Sequence, residues 1–342
     1  MANFYWVGGT GSWSEFATHW ATTSGGGTFY ANAPTSSDDV FIDANSGFGS
    51  GGIITIVGDT YAQCNNFTST SGHNYSIVYD SADLAVNGNC TLEAGTTFDD
   101  ASDAYLYLAG SGTLTCNGAS INWIGKNSDI GTTDGTYTLQ DSLTAGDMGW
   151  GSGTFDANDN NVTITNTCGF ADSTMIGGSG TWEVGNWQAN AGATITPETS
   201  TIKFTNTVEG GFIGGGKTYN NIWFAGSALV RVSDSNTFND FKIDAGLTVK
   251  FDKTTTQTVT TFTASGTDGN LIILDTYDAA GQFNLSKASG VVDCDYLNIS
   301  NSNATGGATW YAGSHSADTA NNDGWIFTDA PTTNRHYYYD DD

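Results

Sequence analysis

Apolar positions along this chain come in short alternating runs rather than in helical stripes. Ile53-Ile54-Thr55-Ile56-Val57, Leu114-Thr115-Cys116 and Val162-Thr163-Ile164 are each bounded by Gly, Asn or Asp, the pattern of β-strands joined by tight turns. The string Gly-Ser-Gly-Thr begins at Gly110, Gly151 and Gly178, and each copy opens such a run. A second unit sets Asn or Asp before a large apolar residue: Cys64-Asn65-Asn66-Phe67, Asn220-Asn221-Ile222 and Asn239-Asp240-Phe241. The apolar residue is expected to point inward. The amides are expected to hydrogen-bond along a stack of similar units.

Two recurrences say how these strands are arranged. Cys64, Cys90 and Cys116 recur every 26 residues, with Cys168 two such steps on, and Gly226, Gly246 and Gly266 recur every 20. Fixed periods of this size mark a chain wound in stacked coils. The expectation is an all-β, right-handed parallel β-solenoid (β-helix) with N- and C-terminal caps. Its body should hold about ten or eleven coils over roughly 50 Å. An antiparallel sandwich also supplies short strands and turns, but it accounts less well for the recurrences.

The divisions expected are a Trp-rich N-terminal cap over 1–60, a solenoid body over 61–300, a C-terminal cap over 301–328 and a polar Tyr/Asp tail over 329–342. In the first, Trp6, Trp13 and Trp20 fall seven apart among glycines. Glycine disfavours the helix that such spacing would otherwise imply, so the tryptophans are expected to cover the first coil from loops. The tail alone is disordered in character. Its Tyr337, Tyr338 and Tyr339 suit docking on a neighbouring subunit.

Composition narrows the partners. The chain of 342 residues carries 36 acidic and 9 basic side chains, a net charge of −27. That argues against nucleic acid and anionic membrane surfaces, which need clustered Lys and Arg. No apolar run is long enough to span a membrane, and the opening residues lack the features of a secretory signal. Thirty-one of the acids are Asp, which points to turn capping more than to charged faces. Five cysteines without a CxxC pair read first as buried free thiols, with a bridge or two, or a metal, as lesser alternatives.

The search for chemistry finds little. A glycosidase needs two carboxylates facing across a groove. The candidates, Asp38/Asp39, Asp99/Asp100/Asp103, Glu198 and Glu209, sit beside Gly, Ser or Thr in turn-like contexts. Proton abstraction by a lyase would call on Arg231 or Arg335 or on scattered lysines. His19, His73, His315 and His336 share no metal-binding spacing. No phosphate loop is present and no nucleophile elbow stands out. Asp156-Ala157-Asn158-Asp159-Asn160-Asn161 has calcium-type ligands without the glycine and Glu of a full loop, so it reads as a turn, with structural calcium as the alternative. Trp123, Trp150, Trp182, Trp187 and Trp223 are each core residues or surface platforms for sugars or partners, and sequence does not sort them.

The opening Phe4-Tyr5-Trp6-Val7-Gly8-Gly9-Thr10-Gly11-Ser12-Trp13, with Pro34 to Ala44, resembles the start of a group of phage-encoded β-solenoid proteins. The segments Ala304-Thr305-Gly306-Gly307-Ala308-Thr309-Trp310-Tyr311-Ala312-Gly313 and Gly324-Trp325-Ile326-Phe327 are similar to their closing segment. The resemblance implies a non-enzymatic virion surface protein, a tail-fibre or spike-like attachment element contacting host surface glycan. It transfers no catalytic residue and no cofactor. The implied partners are other virion proteins, host polysaccharide and further copies of the chain, expected as a homotrimer. The alternatives are a capsid decoration protein, a tailspike-type polysaccharide depolymerase and a bacterial adhesin.

Overall fold

The computed structural model describes residues 1–331 apart from 50, 58–61, 81, 101–104, 127–133, 228 and 279–280, and it is a parallel β-solenoid. Alternation sends every second strand residue inward, and equivalent inward residues lie one above another. One such column runs Ile54, Ile77, Phe98, Ile121, Ala145, Ile164, Val184, Phe204, Phe224, Ile243 and Ala264, each paired in register with the next. All eleven are at most 3 % exposed. Burying apolar surface in this column, at about 25 cal/mol per Å², holds the register that the backbone ladder then repeats.

The described strands form one sheet of 10, one of 23 and a small one of 3. The stack comprises about twelve turns, close to 60 Å at one strand spacing per turn. Parallel pairing is not confined to residues 61–300. Asn3–Trp6 already pairs with Asp39–Asp43, and Ser302–Gly306 and Trp325–Ile326 continue the ladders at the other end. Among the described strands the one antiparallel pair is Asn3–Trp6 with Trp20–Ala21. It covers the outer edge of the first coil, which would otherwise offer unpaired amides. Trp6, Trp13 and Trp20 converge there, all buried, with Trp20 4.9 Å from Trp6 and 4.7 Å from Trp13 in edge-on contacts. A single helical turn, Phe16–His19, separates the last two. No helix among the described residues is long and apolar enough to cross a membrane.

The two recurrences that announced the coils are not themselves stacks. Cys64 pairs with Val86, while Cys90 pairs with Phe67 below and Leu114 above. Coils here are shorter than 26 residues, so the cysteines step across the section as they climb. All five are buried and free, and burial pushes the Cys116 and Cys294 thiols up to about 12. The glycines drift for the same reason. Phe224 pairs with Ile243 and Ile243 with Ala264, unequal steps of 19 and 21 residues, so glycines spaced evenly by 20 do not keep one column.

The polar units behave as expected. Asn221 pairs with Asp240 and Ile222 with Phe241, and both apolar partners are fully buried. Axial bonds link the turns. Asp39 Oδ1 accepts from Asn66 Nδ2 at 2.8 Å, Asn66 Oδ1 from Asn89 N at 2.7 Å, and Asn89 Oδ1 from Thr113 N at 2.9 Å. A second such run joins Asp275, Asn301 and Asn321 at 2.9 and 3.0 Å.

The core changes character along the axis. Around Leu84, Cys90, Leu106 and Leu114 the core is mainly aliphatic, with Phe67 and Phe98 set among them. From Tyr137 onward, ring touches ring without a break through Trp150, Phe155, Trp182, Trp187 and Tyr219. The chain of contacts continues through Phe238, Phe241, Phe262 and Trp310 to Trp325.

Glu93 shows how one acid fastens a neighbouring coil. It accepts from Ser69 Oγ at 2.7 Å, Ser71 N at 2.9 Å and Gly72 N at 2.8 Å. Partial burial pushes its carboxyl up, but the bonds from Ser71, Ser69 and Gly72 outweigh this and hold it below its ordinary value. Its contribution to stability is therefore complete above the unfolded value of about 4.3 and is lost as pH falls through the folded one. Denaturation between about pH 5 and 3 is expected to show a shallower acid-side decline for Glu93→Gln than for the wild type. Equal slopes would remove Glu93 as a contributor.

Candidate functional site

The residues singled out by sequence are mostly structural. Asp38 accepts from Ala2 N at 2.9 Å and from Thr35 Oγ1 at 2.7 Å, and Asp39 anchors the axial run described above. Glu198 sits exposed in a turn at φ 49°, and Glu209 is exposed. Asp103, Arg335, His336 and Tyr337, Tyr338 and Tyr339 lie outside the described residues, as do the side chains of Asp99 and Asp100. Arg231 is held by Asp252 at 2.9 Å and stacks on Tyr277. His19 lies flat on Trp6, and His315 meets Asp295 at 2.7 Å while stacking on Tyr296.

In the calcium-like segment three side-chain oxygens accept backbone amides. Asp156 Oδ1 accepts from Asn158 N at 2.9 Å, Asp159 Oδ1 from Ser179 N at 2.8 Å, and Asn161 Oδ1 from Thr181 N at 2.9 Å. Asn158 and Asp159 are both left-handed. The segment is a turn that also fastens the next coil.

The five body tryptophans divide cleanly. Trp150, Trp182 and Trp187 belong to the core. Trp223 lies partly exposed between Lys203 and Lys242, its ring centre 4.9 and 3.8 Å from their ammonium groups. It neighbours both in register, so cations from the coils on either side already occupy it. Trp123 is different. With Tyr105 and Tyr107, at 4.1 and 5.5 Å between ring centres, it forms an aromatic cluster outside the main core.

Trp123 borders a groove whose floor is written into the register. The outward column runs Ala85, Tyr107, Gly125, Gly149, Gly169 and Gln188. Three glycines in successive coils leave no side chains between the Tyr107 ring and the Gln188 amide, four strand spacings or about 19 Å apart. The indole fills part of the space so freed. A Cβ on Gly125 would stand 2.5 Å from Trp123 Cη2, and one on Gly149 2.8 Å from Cζ2. Gly169 has nothing nearer than 3.8 Å and stays open. Asn190 lies beyond, 3.2 Å from Gln188 Nε2. The cleft encloses about 310 Å³.

At Gly151 the cleft meets a second one of about 510 Å³ lined by Asp134, Ser152, Asp172, Thr154, Thr174 and Thr194. Its threonines stack in register with Thr136 below them. Beneath this corner lies Lys126, 1 % exposed, donating to Gly110 O at 2.9 Å and Ala109 O at 3.1 Å. Its stem passes where a Cβ on Gly153 would stand, 2.8 Å from Lys126 Cε. The repeated Gly-Ser-Gly string therefore makes room for a buried lysine. Burial lowers that ammonium to about 8, against the opposing field of Asp134.

Sequence reading missed Asp134, Asp172, Tyr105, Tyr107 and the glycine floor. The signal was present in Gly125, Gly149 and Gly169, but it is visible only once coil lengths are known. No protein-family model, no curated protein and no solved structure matches this chain. Fold and groove together define a parallel β-solenoid with an aromatic, glycine-floored cleft on its flank.

Replacing Lys126 by Met leaves the Ala109 and Gly110 carbonyls without their donor, so a loss of roughly 2–4 kcal/mol is expected in denaturant unfolding. Because the folded amine binds its proton less tightly than the unfolded one, near 10.4, wild-type stability gains on the variant as pH rises from about 8 towards 10. The deficit of Lys126→Met should thus widen between pH 7 and 9.5. A constant deficit would show that Lys126 does not titrate in this interval.

Proposed function

We propose that this protein is a non-enzymatic surface element of a bacteriophage virion, fibre- or spike-like, that holds host surface polysaccharide along its flank. The observation that carries the glycan part is Trp123 beside the open floor at Gly169, with the amides of Gln188 and Asn190 within the same cleft. A sugar ring offers an apolar face to an indole and hydroxyls to amides, the combination of apolar wall and few polar groups that small-molecule clefts use. A floor of glycines running along the axis suits an extended chain. The virion setting rests on the likeness of the two end segments to phage-encoded solenoids. Association of copies and attachment through Tyr337, Tyr338 and Tyr339 belong to this reading.

Titration calorimetry with purified host surface polysaccharide tests it. Trp123→Ala is expected to weaken binding about tenfold or more while the fold persists with a modestly lowered melting temperature, because the ring packs on Tyr105 and Tyr107 outside the main core. Unchanged affinity would overturn the groove as the site. New reducing ends during incubation with the polysaccharide would replace attachment by depolymerisation. Antibody labelling that leaves intact virions bare would exclude the virion surface.

A further inference from the structure

We infer that the open floor at Gly169 is a recess for an acetamido group, so that the groove selects glycans carrying N-acetylated hexosamine. This rests on the glycan reading above and adds the chemical class of the ligand. Gly149, Gly169 and Gln188 follow one another in register, which sets Gly149 and Gln188 two strand spacings, about 10 Å, apart. The indole stops over Gly149, where a Cβ would stand 2.8 Å from Trp123 Cζ2. Over Gly169 no side chain intrudes, since a Cβ placed there meets only Met148 O at 3.8 Å and Gln188 O at 4.0 Å. The recess therefore has room for a methyl group, with an aromatic edge on one side and two amides on the other.

The polar groups match the same ligand. Gln188 Nε2 donates to Asn190 Oδ1 at 3.2 Å, which orients the pair. Gln188 Oε1 is left as an acceptor and Asn190 Nδ2 as a donor, neither with a partner among the described residues, and both side chains are exposed in the cleft. An acetamide brings one N–H and one C=O, the complement of that pair, together with a methyl for the apolar recess. A bare hydroxyl would engage the amides and leave the recess unfilled. Charge points the same way. The described lining holds no carboxylate for a free amine, and its one cation, Lys126, is turned inward onto the carbonyls of Ala109 and Gly110 at 3.1 and 2.9 Å. An acidic sugar would find no counter-charge and would approach a chain of net charge −27. A neutral amide costs less to desolvate than either ion.

Gly169→Ala tests the recess directly. The backbone at Gly169 is not left-handed and the added methyl touches nothing nearer than 3.8 Å, so the variant is expected to melt no lower than the wild type. Calorimetry with short oligomers of N-acetylglucosamine, of glucosamine and of glucose in the same linkage is expected to show the acetylated ligand binding about fivefold to tenfold tighter than the other two. Gly169→Ala should remove that preference and leave glucose oligomers at their wild-type affinity. Asn190→Ala should reduce the preference as well. Gly211→Ala, at another strand glycine with the same 3.8 Å clearance, should leave it unchanged. Equal affinity of the wild type for the three oligomers, a preference that survives Gly169→Ala, or an equal loss in Gly211→Ala overturns the acetamido recess, and the groove still stands if host polysaccharide binds through Trp123. Failure of both the oligomers and the polysaccharide to bind the wild type overturns both.

Discussion

Everything in this molecule depends on axial register, the rule that each residue sits directly on its counterpart one coil below. The backbone ladder alone would tolerate a slip, since every step offers similar amides. The inward column from Ile54 to Ala264 does not, because a shift of one residue would turn eleven buried side chains to solvent. Register in turn lines up everything outside. The Thr136–Thr194 stack, the lysines around Trp223 and the glycine floor beneath Trp123 all follow from it.

The same rule explains how a chain so acidic stays folded. Its carboxylates seldom face each other across a core. They accept backbone amides from the adjacent coil, as Asp39, Asp159 and Glu93 do, so each charge is tied into the stack instead of opposing it. Lys126 inverts the arrangement. It is a buried cation held by carbonyls, and the glycines at 135 and 153 clear its path.

The fold was legible from alternation and turn strings because both report local geometry, which tertiary contacts reinforce. The asparagine-plus-apolar units were read correctly for that reason: Asn221 and Asp240 are level, and Ile222 and Phe241 point inward. The cysteine and glycine recurrences led to the right architecture by the wrong alignment. Spacing counts residues, whereas stacking counts coils, and coil length varies between the aliphatic and aromatic parts. The groove was hidden by the same mismatch. Gly125, Gly149 and Gly169 are unevenly spaced in sequence and consecutive in space. Nor does sequence reveal which tryptophan faces outward, because Trp123 and Trp150 lie on neighbouring strands and the face each meets is set by the parity of its position in a register that sequence does not show.

One consequence of the parallel ladder concerns load. Its hydrogen bonds lie nearly along the long axis, so a pull on the two ends is transmitted through every coil interface in series. Each interface bears the full force, and only the bonds within that interface share it. Strength is then set by the weakest rung, not by the sum. Where Cys90–Thr91 supplies a strand of two residues, the burden passes to Thr96–Asp100 and Leu106–Leu108 of the same coil. A rod built this way resists tension according to its thinnest cross-section, whatever its length.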